Sequence, residues 1–215
     1  IRRYANPLRE IVDRDANEGD TRLIITDFLC DALGYDKFDD LTTEFAVRGE
    51  FADYGIRIDK QLVAFIEVKR ATQQLNARHL RQVETYAVKE GLQWILLTNG
   101  HVWQVYHVYA KTGQQVSTNL VLELDLLGDE PTSRKIDGFF YLHRSAMKRE
   151  LIDDLWKRKV ATAPRSLAEI VLGESVLDTI RKEIRRASKY NPEPTEIAKI
   201  LRNEVLRPEL VADDN

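Results

Sequence analysis

The sequence lacks the marks of several protein classes. Its one cysteine, Cys30, excludes an internal disulfide and fits a reducing compartment. The four histidines, His79, His101, His107 and His143, stand singly, without the paired spacing of a structural zinc site. No apolar run approaches the ~20 residues that cross a bilayer; the longest is Leu62-Val63-Ala64-Phe65-Ile66. The first residues, Ile1 to Pro7, contain no apolar signal region, so a cytoplasmic location is expected. Because the sequence opens on Ile1, further residues are expected to precede it in the natural chain. No Gly-x4-Gly-Lys-[Ser/Thr] is present, so no P-loop ATP site is expected. Neither Ser117 nor Ser133 sits in a Gly-x-Ser-x-Gly elbow, which removes the serine-hydrolase reading.

What remains is a chain of 215 residues, 43% apolar and 31% charged, with a net charge of -3. A chain of this length can bury roughly 70% of its unfolded surface. Helical periodicity appears first, from Pro7 to about Asp15 and again after Asp20 or Thr21, where Gly34 supplies a stop. Asn17-Glu18-Gly19-Asp20 reads as an interruption. From Leu41 the period becomes two, giving strands over 41–48, 51–58 and 62–69 with a tight turn at Asp59-Lys60-Gln61. A helix is expected over 72–90, with Leu80, Val83 and Ala87 inward. Strands follow over 93–98, 101–109 and 116–126, joined by the hairpin signal Asn99-Gly100 and a turn at Lys111-Thr112-Gly113. Beyond Pro131 the pattern is helical over 143–160, 166–172, 174–189 and 195–206. The expected architecture is α/β, an α+β mixed sheet over 1–130 followed by a helical region over 131–215.

Charge is uneven along the chain. Residues 10–60 carry fourteen acids and six bases, whereas Arg181 to Lys189 carry five bases and one acid. The basic run fits either a solvated helix face or a helix that contacts phosphates.

The residues that could carry chemistry lie in the two middle strands. Alternation places Glu67 and Lys69 on one face of their strand and Val68 on the other. A hairpin between 51–58 and 62–69 brings Asp53 near Glu67, at a level set by the register. Two carboxylates ~4 Å apart repel by about 4 kcal/mol at an effective dielectric of 20, so such a pair calls for a cation or a raised pKa. A hard divalent ion held by oxygen ligands answers that need. Lys69 could then orient the water or stabilise charge on a phosphate. A surface strand with alternating charges is the plainer reading of Glu67-Val68-Lys69 alone. On the following helix, Gln82 and Tyr86 form an i, i+4 pair. It fits either a hydrogen-bonding edge turned to the site or an aromatic at a helix–sheet interface.

Together Glu44, Asp53, Glu67-Val68-Lys69 and Gln82-Val83-Glu84-Thr85-Tyr86 resemble the PD-(D/E)xK nuclease superfamily. More closely, the chain resembles the N-terminal nuclease domain of type I restriction enzyme R subunits. Ala32-Leu33-Gly34-Tyr35, Thr43-Glu44-Phe45-Ala46-Val47 and Leu97-Thr98-Asn99-Gly100-His101-Val102-Trp103 extend the likeness over about residues 18–126. Ala52 stands where the motif has proline. The resemblance implies a restriction-endonuclease-like core and a Mg²⁺-dependent endonuclease, with Mn²⁺ as a substitute ion. By resemblance Asp53, Glu67 and the Val68 main-chain carbonyl bind the metal, and Lys69 positions the attacking water. Glu44 supplies a further carboxylate, while Gln82 and Tyr86 support the site or contact nucleic acid. The implied substrate is nucleic acid, DNA in preference, and the implied partners are a second copy or a restriction or defence protein. Without a helicase motor, the chain is not an ATP-driven translocating enzyme by itself. The competing expectation is a non-catalytic module of the same fold that binds nucleic acid or protein.

Three other groups receive structural readings. Asp36, Asp39 and Asp40 lack the glycine and bidentate glutamate of a calcium loop and read as a solvated acidic loop. Cys30 reads as part of an apolar helix face, and Trp94, Trp103 and Trp156 as packing groups.

Overall fold

The computed structural model describes residues 1–47, 50–109 and 116–211. It divides into two compact units, Ile1–Leu155 and Trp156–Asn215. Arg48, at the end of the first expected strand, and the turn expected at Lys111-Thr112-Gly113 lie outside the described residues.

The first unit is built on a six-stranded sheet in sequence order: β1 Leu41–Val47, β2 Glu50–Ile58, β3 Gln61–Val68, β4 Trp94–Thr98, β5 Val102–Tyr109 and β6 Ser117–Asp125. All neighbours are antiparallel except β3 and β4, which run parallel. The exception follows from the connection, because the helix α3 (Ala77–Glu90) returns the chain to the starting edge of β3. Two tight turns match their sequence signals. Asp59 and Lys60 both adopt positive φ between Ile58 and Gln61, as a two-residue hairpin with right-handed strand twist requires. Gly100, at φ 94°, closes the β4–β5 hairpin, and the Asn99 side chain accepts the Val102 amide at 2.8 Å.

Helices cover both faces of the sheet. On one face, helix α1 (Ala5–Asp13), helix α2 (Glu18–Asp27) and helix α4 (Thr132–Phe140) pack around an aromatic cluster. Phe28 sits 5.5 Å from the Trp103 ring and 5.2 Å from that of Phe139. On the other, Val83, Tyr86 and Ala87 of α3 pack against Phe65, Ile95 and Val108. Central β3 is enclosed from both sides, and Ala64, Phe65, Ile66, Glu67 and Val68 are all buried. Burying one such apolar side chain is worth about 1.5–3 kcal/mol, so β3 is a rigid mount for the polar group it carries.

Several expectations are refined. Asn17-Glu18-Gly19-Asp20 begins α2 rather than interrupting the chain, because the Asn17 side chain accepts the Asp20 amide at 3.0 Å. The α2 helix then runs into a wider five-residue turn over Phe28–Ala32 before Gly34, at φ 73°. Helix α4 has no counterpart in the periodicity reading. Asp40 is buried rather than solvated: its carboxylate takes the Arg144 guanidinium at 2.5 Å and the Asp36 amide at 2.8 Å. Asp36 and Asp39 remain exposed, with Asp36 closing a local turn through the amides of Phe38 and Asp39.

The helical stretch from 131 is shared between the units. Helix α4 and helix α5 (Arg144–Lys148) belong to the sheet unit, tied by the Tyr35 hydroxyl to the Leu142 carbonyl and by Asp40 to Arg144. Helix α6 (Leu151–Ala161) spans the division, and Glu150, at φ 55°, separates it from α5. The second unit contains helix α7 (Pro164–Val171), helix α8 (Glu174–Ser188) and helix α9 (Pro194–Ile200). Its buried residues are Ala168, Leu177, Pro192 and Ile197 among those described. No helix of the described residues is long and apolar enough to cross a membrane.

Candidate active site

The strand registers decide what meets what. Pairing of β2 with β3 ends at Tyr54↔Ile66, while pairing of β2 with β1 continues to Val47↔Glu50. Past Tyr54, therefore, β2 leaves β3 and follows β1. Asp53 and Glu67 are the first residues beyond the last rung, one on each strand. The Asp53 side chain spans the opening and accepts the Val68 amide at 2.7 Å, in place of a strand carbonyl. A carboxylate–amide bond of this kind is worth about 1.5–3 kcal/mol. Asp53 is thus fixed to the strand that carries Glu67 and Lys69.

Glu67 and Lys69 share the sheet face covered by α3, in agreement with strand alternation. Lys69 Nζ donates to Glu67 Oε1 at 2.6 Å, with the carboxylate 4% and the ammonium-bearing chain 13% exposed. Glu67 Oε2 is buried and has no hydrogen-bond partner. Burial pushes the Glu67 carboxyl up to about 7; the Lys69 contact opposes that shift, and the charges of Asp53 and Glu18 add to it. Desolvation therefore outweighs the neighbouring lysine. An uncompensated buried oxygen on a carboxylate is a position that a proton or a metal ion would satisfy. On the chemistry of the donors, Asp53 and Glu67 fit a hard cation. Among the described residues, no cluster of three or more Asp, Glu, His or Cys side chains has metal-holding geometry.

Arg22, on α2, connects the expected residues and was missed by the sequence reading. Its Nη1 lies 3.2 Å from Asp53 Oδ1 and 3.8 Å from Glu44 Oε1. Glu44 therefore reaches the site through Arg22, from an exposed position at φ 49° within β1. A glutamate in the left-handed region inside a strand is strained, and such residues cluster at functional sites. Glu18, four residues before Arg22, contributes its charge to the Glu67 shift. No local pattern marks Arg22, because its partner Asp53 lies 31 residues away.

Gln82 and Tyr86 meet each other: the Gln82 amide donates to the Tyr86 hydroxyl at 3.1 Å. The Tyr86 ring is buried in the core beneath α3, with the Lys89 ammonium 6.0 Å from its centre. His79 is the member of α3 whose environment registers Lys69: desolvation first, then the Lys69 charge, lowers its pKa. Among the remaining candidates, Trp103 and Trp94 are buried, and their indole N–H groups donate to the Gly100 carbonyl and to Asp153. His107 packs beside Trp94, and His101 faces Asp125 at 3.1 Å. Cys30 is half-buried on its helix.

Residues 17–120 match the family of the Type I restriction enzyme R protein N terminus. Neither curated proteins nor solved structures give a match to the chain. The matched segment holds Glu18, Arg22, Glu44, Asp53, Glu67, Lys69, Gln82 and Tyr86, and it takes in β1 to β5. A mixed α/β sheet of this kind is consistent with a restriction-endonuclease-like fold; Asp53, Glu67 and Lys69 meet where β2 and β3 part, whereas Gln82 and Tyr86 contact each other on α3.

Proposed function

We infer, from a nuclease-related domain that resembles the N terminus of type I restriction enzyme R proteins over residues 17–120, that this chain hydrolyses phosphodiester bonds of nucleic acid, with DNA as the favoured substrate. The observation that carries the reading is the pair formed by Asp53 and buried Glu67, one to each strand where the sheet opens, with Lys69 at 2.6 Å from Glu67. Asp53, Glu67 and the Val68 carbonyl would hold a divalent ion, Mg²⁺ by preference with Mn²⁺ as a substitute. A bound ion of this type lowers the pKa of water and neutralises charge developing on a phosphate.

The chain's own residues do the rest. Glu67 would offer such an ion its buried, unpartnered Oε2. Lys69, on the same sheet face, would orient an attacking water or stabilise charge on a phosphate oxygen. Arg22 holds Asp53 in place from the α2 side and links it to Glu44. Gln82 and Tyr86 stiffen the α3 flank through their mutual hydrogen bond. A cytoplasmic restriction or defence role, with a second copy or a partner protein, follows from the same resemblance.

One observation favours a second reading, a nuclease-fold module that binds without turnover. Lys69 already neutralises one oxygen of Glu67, so the pair is partly compensated without any ion. Cleavage of supercoiled plasmid, single-stranded DNA and RNA with Mg²⁺ or Mn²⁺ separates the two. Chelator-sensitive cutting, lost by about 10²–10⁴-fold in Lys69→Ala, is expected of the nuclease. DNA binding with no cutting by wild type in any metal would establish the module instead.

A further inference from the structure

The second unit differs from the first in charge as well as in packing. Four of its exposed cations lie at the C-terminal end of α8. Lys182, Arg185, Arg186 and Lys189 fall at i, i+3, i+4 and i+7, which is one face of a helix, and all four are exposed. The inward stripe of the same helix is Leu177, Ile180 and Ile184, and it stops there. Its next positions, Ala187 and Ser188, are exposed, so the last turn of α8 continues beyond its packing. The side chains of that turn, Arg185 to Ser188, are all exposed.

That turn is also built against local preference. The stripe sets like charges three and four residues apart, an arrangement that weakens a helix. Acidic partners offset this in part: Asp178 takes Lys182 at 2.7 Å, and Glu183 stands 3.8 Å from Arg186. No acidic partner meets Arg185 or Lys189 among the described residues. Lys189 caps the helix at φ 64°, a left-handed position that glycine fills at lower cost. The helix C-terminus attracts cations, but that attraction decays within one turn and does not reach Lys182. An external polyanion would compensate the aligned cations of such an exposed turn.

We propose that Lys182, Arg185, Arg186 and Lys189 form a phosphate-contacting stripe by which the helical unit holds the nucleic-acid backbone without reading sequence. The proposal rests on the nucleic-acid reading above and adds the element that supplies affinity. The sheet unit cannot supply it with residues 10–60, where acids outnumber bases. Phosphate contacts made by lysine and arginine dominate non-specific affinity, and a regular stripe of cations suits a regular row of phosphates.

The test is binding of the full chain to a short DNA duplex in EDTA, by fluorescence anisotropy from about 50 to 200 mM salt. Wild type is compared with Lys182→Gln/Arg185→Gln/Arg186→Gln/Lys189→Gln, which keeps good helix formers at every position. The control is Lys199→Gln/Arg202→Gln/Arg207→Gln, which removes three exposed cations elsewhere in the unit. The stripe variant should bind at least about tenfold more weakly at 0.15 M salt, and its log–log salt slope should shrink by about 3–4. The control should move far less, and helix content should be unchanged in both. Equal losses from both variants, unchanged binding by the stripe variant, or no DNA binding by wild type would each overturn the proposal. So would a stripe variant that alters self-association while DNA binding holds, since the stripe would then serve a second copy. Plasmid cleavage by wild type is scored separately: its absence, with stripe-dependent binding intact, would count against the nuclease reading and leave the stripe standing.

Discussion

The two units handle charge in opposite ways. In the sheet unit, three charged groups are buried and individually matched: Glu67 with Lys69, Asp40 with Arg144, and Lys135 with the carbonyls of Leu126 and Gly128. In the helical unit the charged groups stand in solvent and pair along one helix, as Asp178 does with Arg181 and Lys182. Burial raises the Glu67 carboxyl to about 7, which makes the sheet unit the place to look for chemistry. Exposed charge acts at longer range, is screened by salt, and suits attraction of a polyanion. The lesson is that a chain with a net charge of only -3 can still separate the two tasks.

Core substitutions should show the comparison at full size. Trp103→Ala, at a fully buried ring in contact with Phe28 and Phe139, should cost about 3–5 kcal/mol in urea unfolding. A loss under about 1 kcal/mol would mean that the aromatic cluster does not hold the sheet unit together.

Titration of Glu67 comes next. Its folded pKa of about 7 lies above the ordinary carboxylate value, so the folded state binds this proton more tightly than the unfolded chain does. The associated stability is complete below the unfolded pKa and is lost as pH rises through about 7. Glu67→Gln removes the dependence. Relative to wild type, it should gain about 2–3 kcal/mol between about pH 5 and pH 8 in metal-free buffer, on the scale of 1.36 kcal/mol per pH unit. A constant difference across that range would show that Glu67 titrates normally.

Asp53 separates support from chemistry. Asp53→Ala leaves the buried Val68 amide without its acceptor and should cost about 1–3 kcal/mol. Asp53→Asn keeps an acceptor oxygen and relieves repulsion on Glu67, so its metal-free melting temperature should stay near that of wild type while metal binding is lost. Thermal scans of both variants, with and without Mn²⁺, check this pair. If Asn destabilises as much as Ala does, the negative charge itself holds the strand opening together.

The smallest effect belongs to the helical surface. Arg186→Ala should change stability by less than about 0.5 kcal/mol, because its contact with Glu183 is 3.8 Å long and solvent-exposed. A larger loss would show that the stripe packs against something.

Much of the sheet could be read before any coordinates. Period-two alternation and the turns at Asp59-Lys60 and Asn99-Gly100 located β2 to β5, and alternation put Glu67 and Lys69 on one face. The helices after Pro131 were legible in part: the single helix expected over 143–160 is divided at Glu150 into α5 and α6, and nothing pointed to α4. That helix contains Gly138 and has no side-chain cap, so it depends on packing against β6 rather than on local signals. The level of Asp53 against Glu67 was open because a hairpin's register also depends on its turn and on bulges; one such irregularity falls between Ile56 and Arg57. Arg22 escaped because its partner lies 31 residues away, beyond any local pattern. Asp40 escaped for the same reason, with Arg144 a further 104 residues along.

The central claim is that Asp53 and Glu67 hold one divalent ion beside Lys69. The direct measurement is a crystal soaked in Mn²⁺ with anomalous data collected. The account predicts one anomalous peak bridging the two carboxylates, with the Lys69 ammonium moved off Glu67 Oε1. Lys69 still seated on Glu67 at saturating Mn²⁺, with no peak between Asp53 and Glu67, would contradict it.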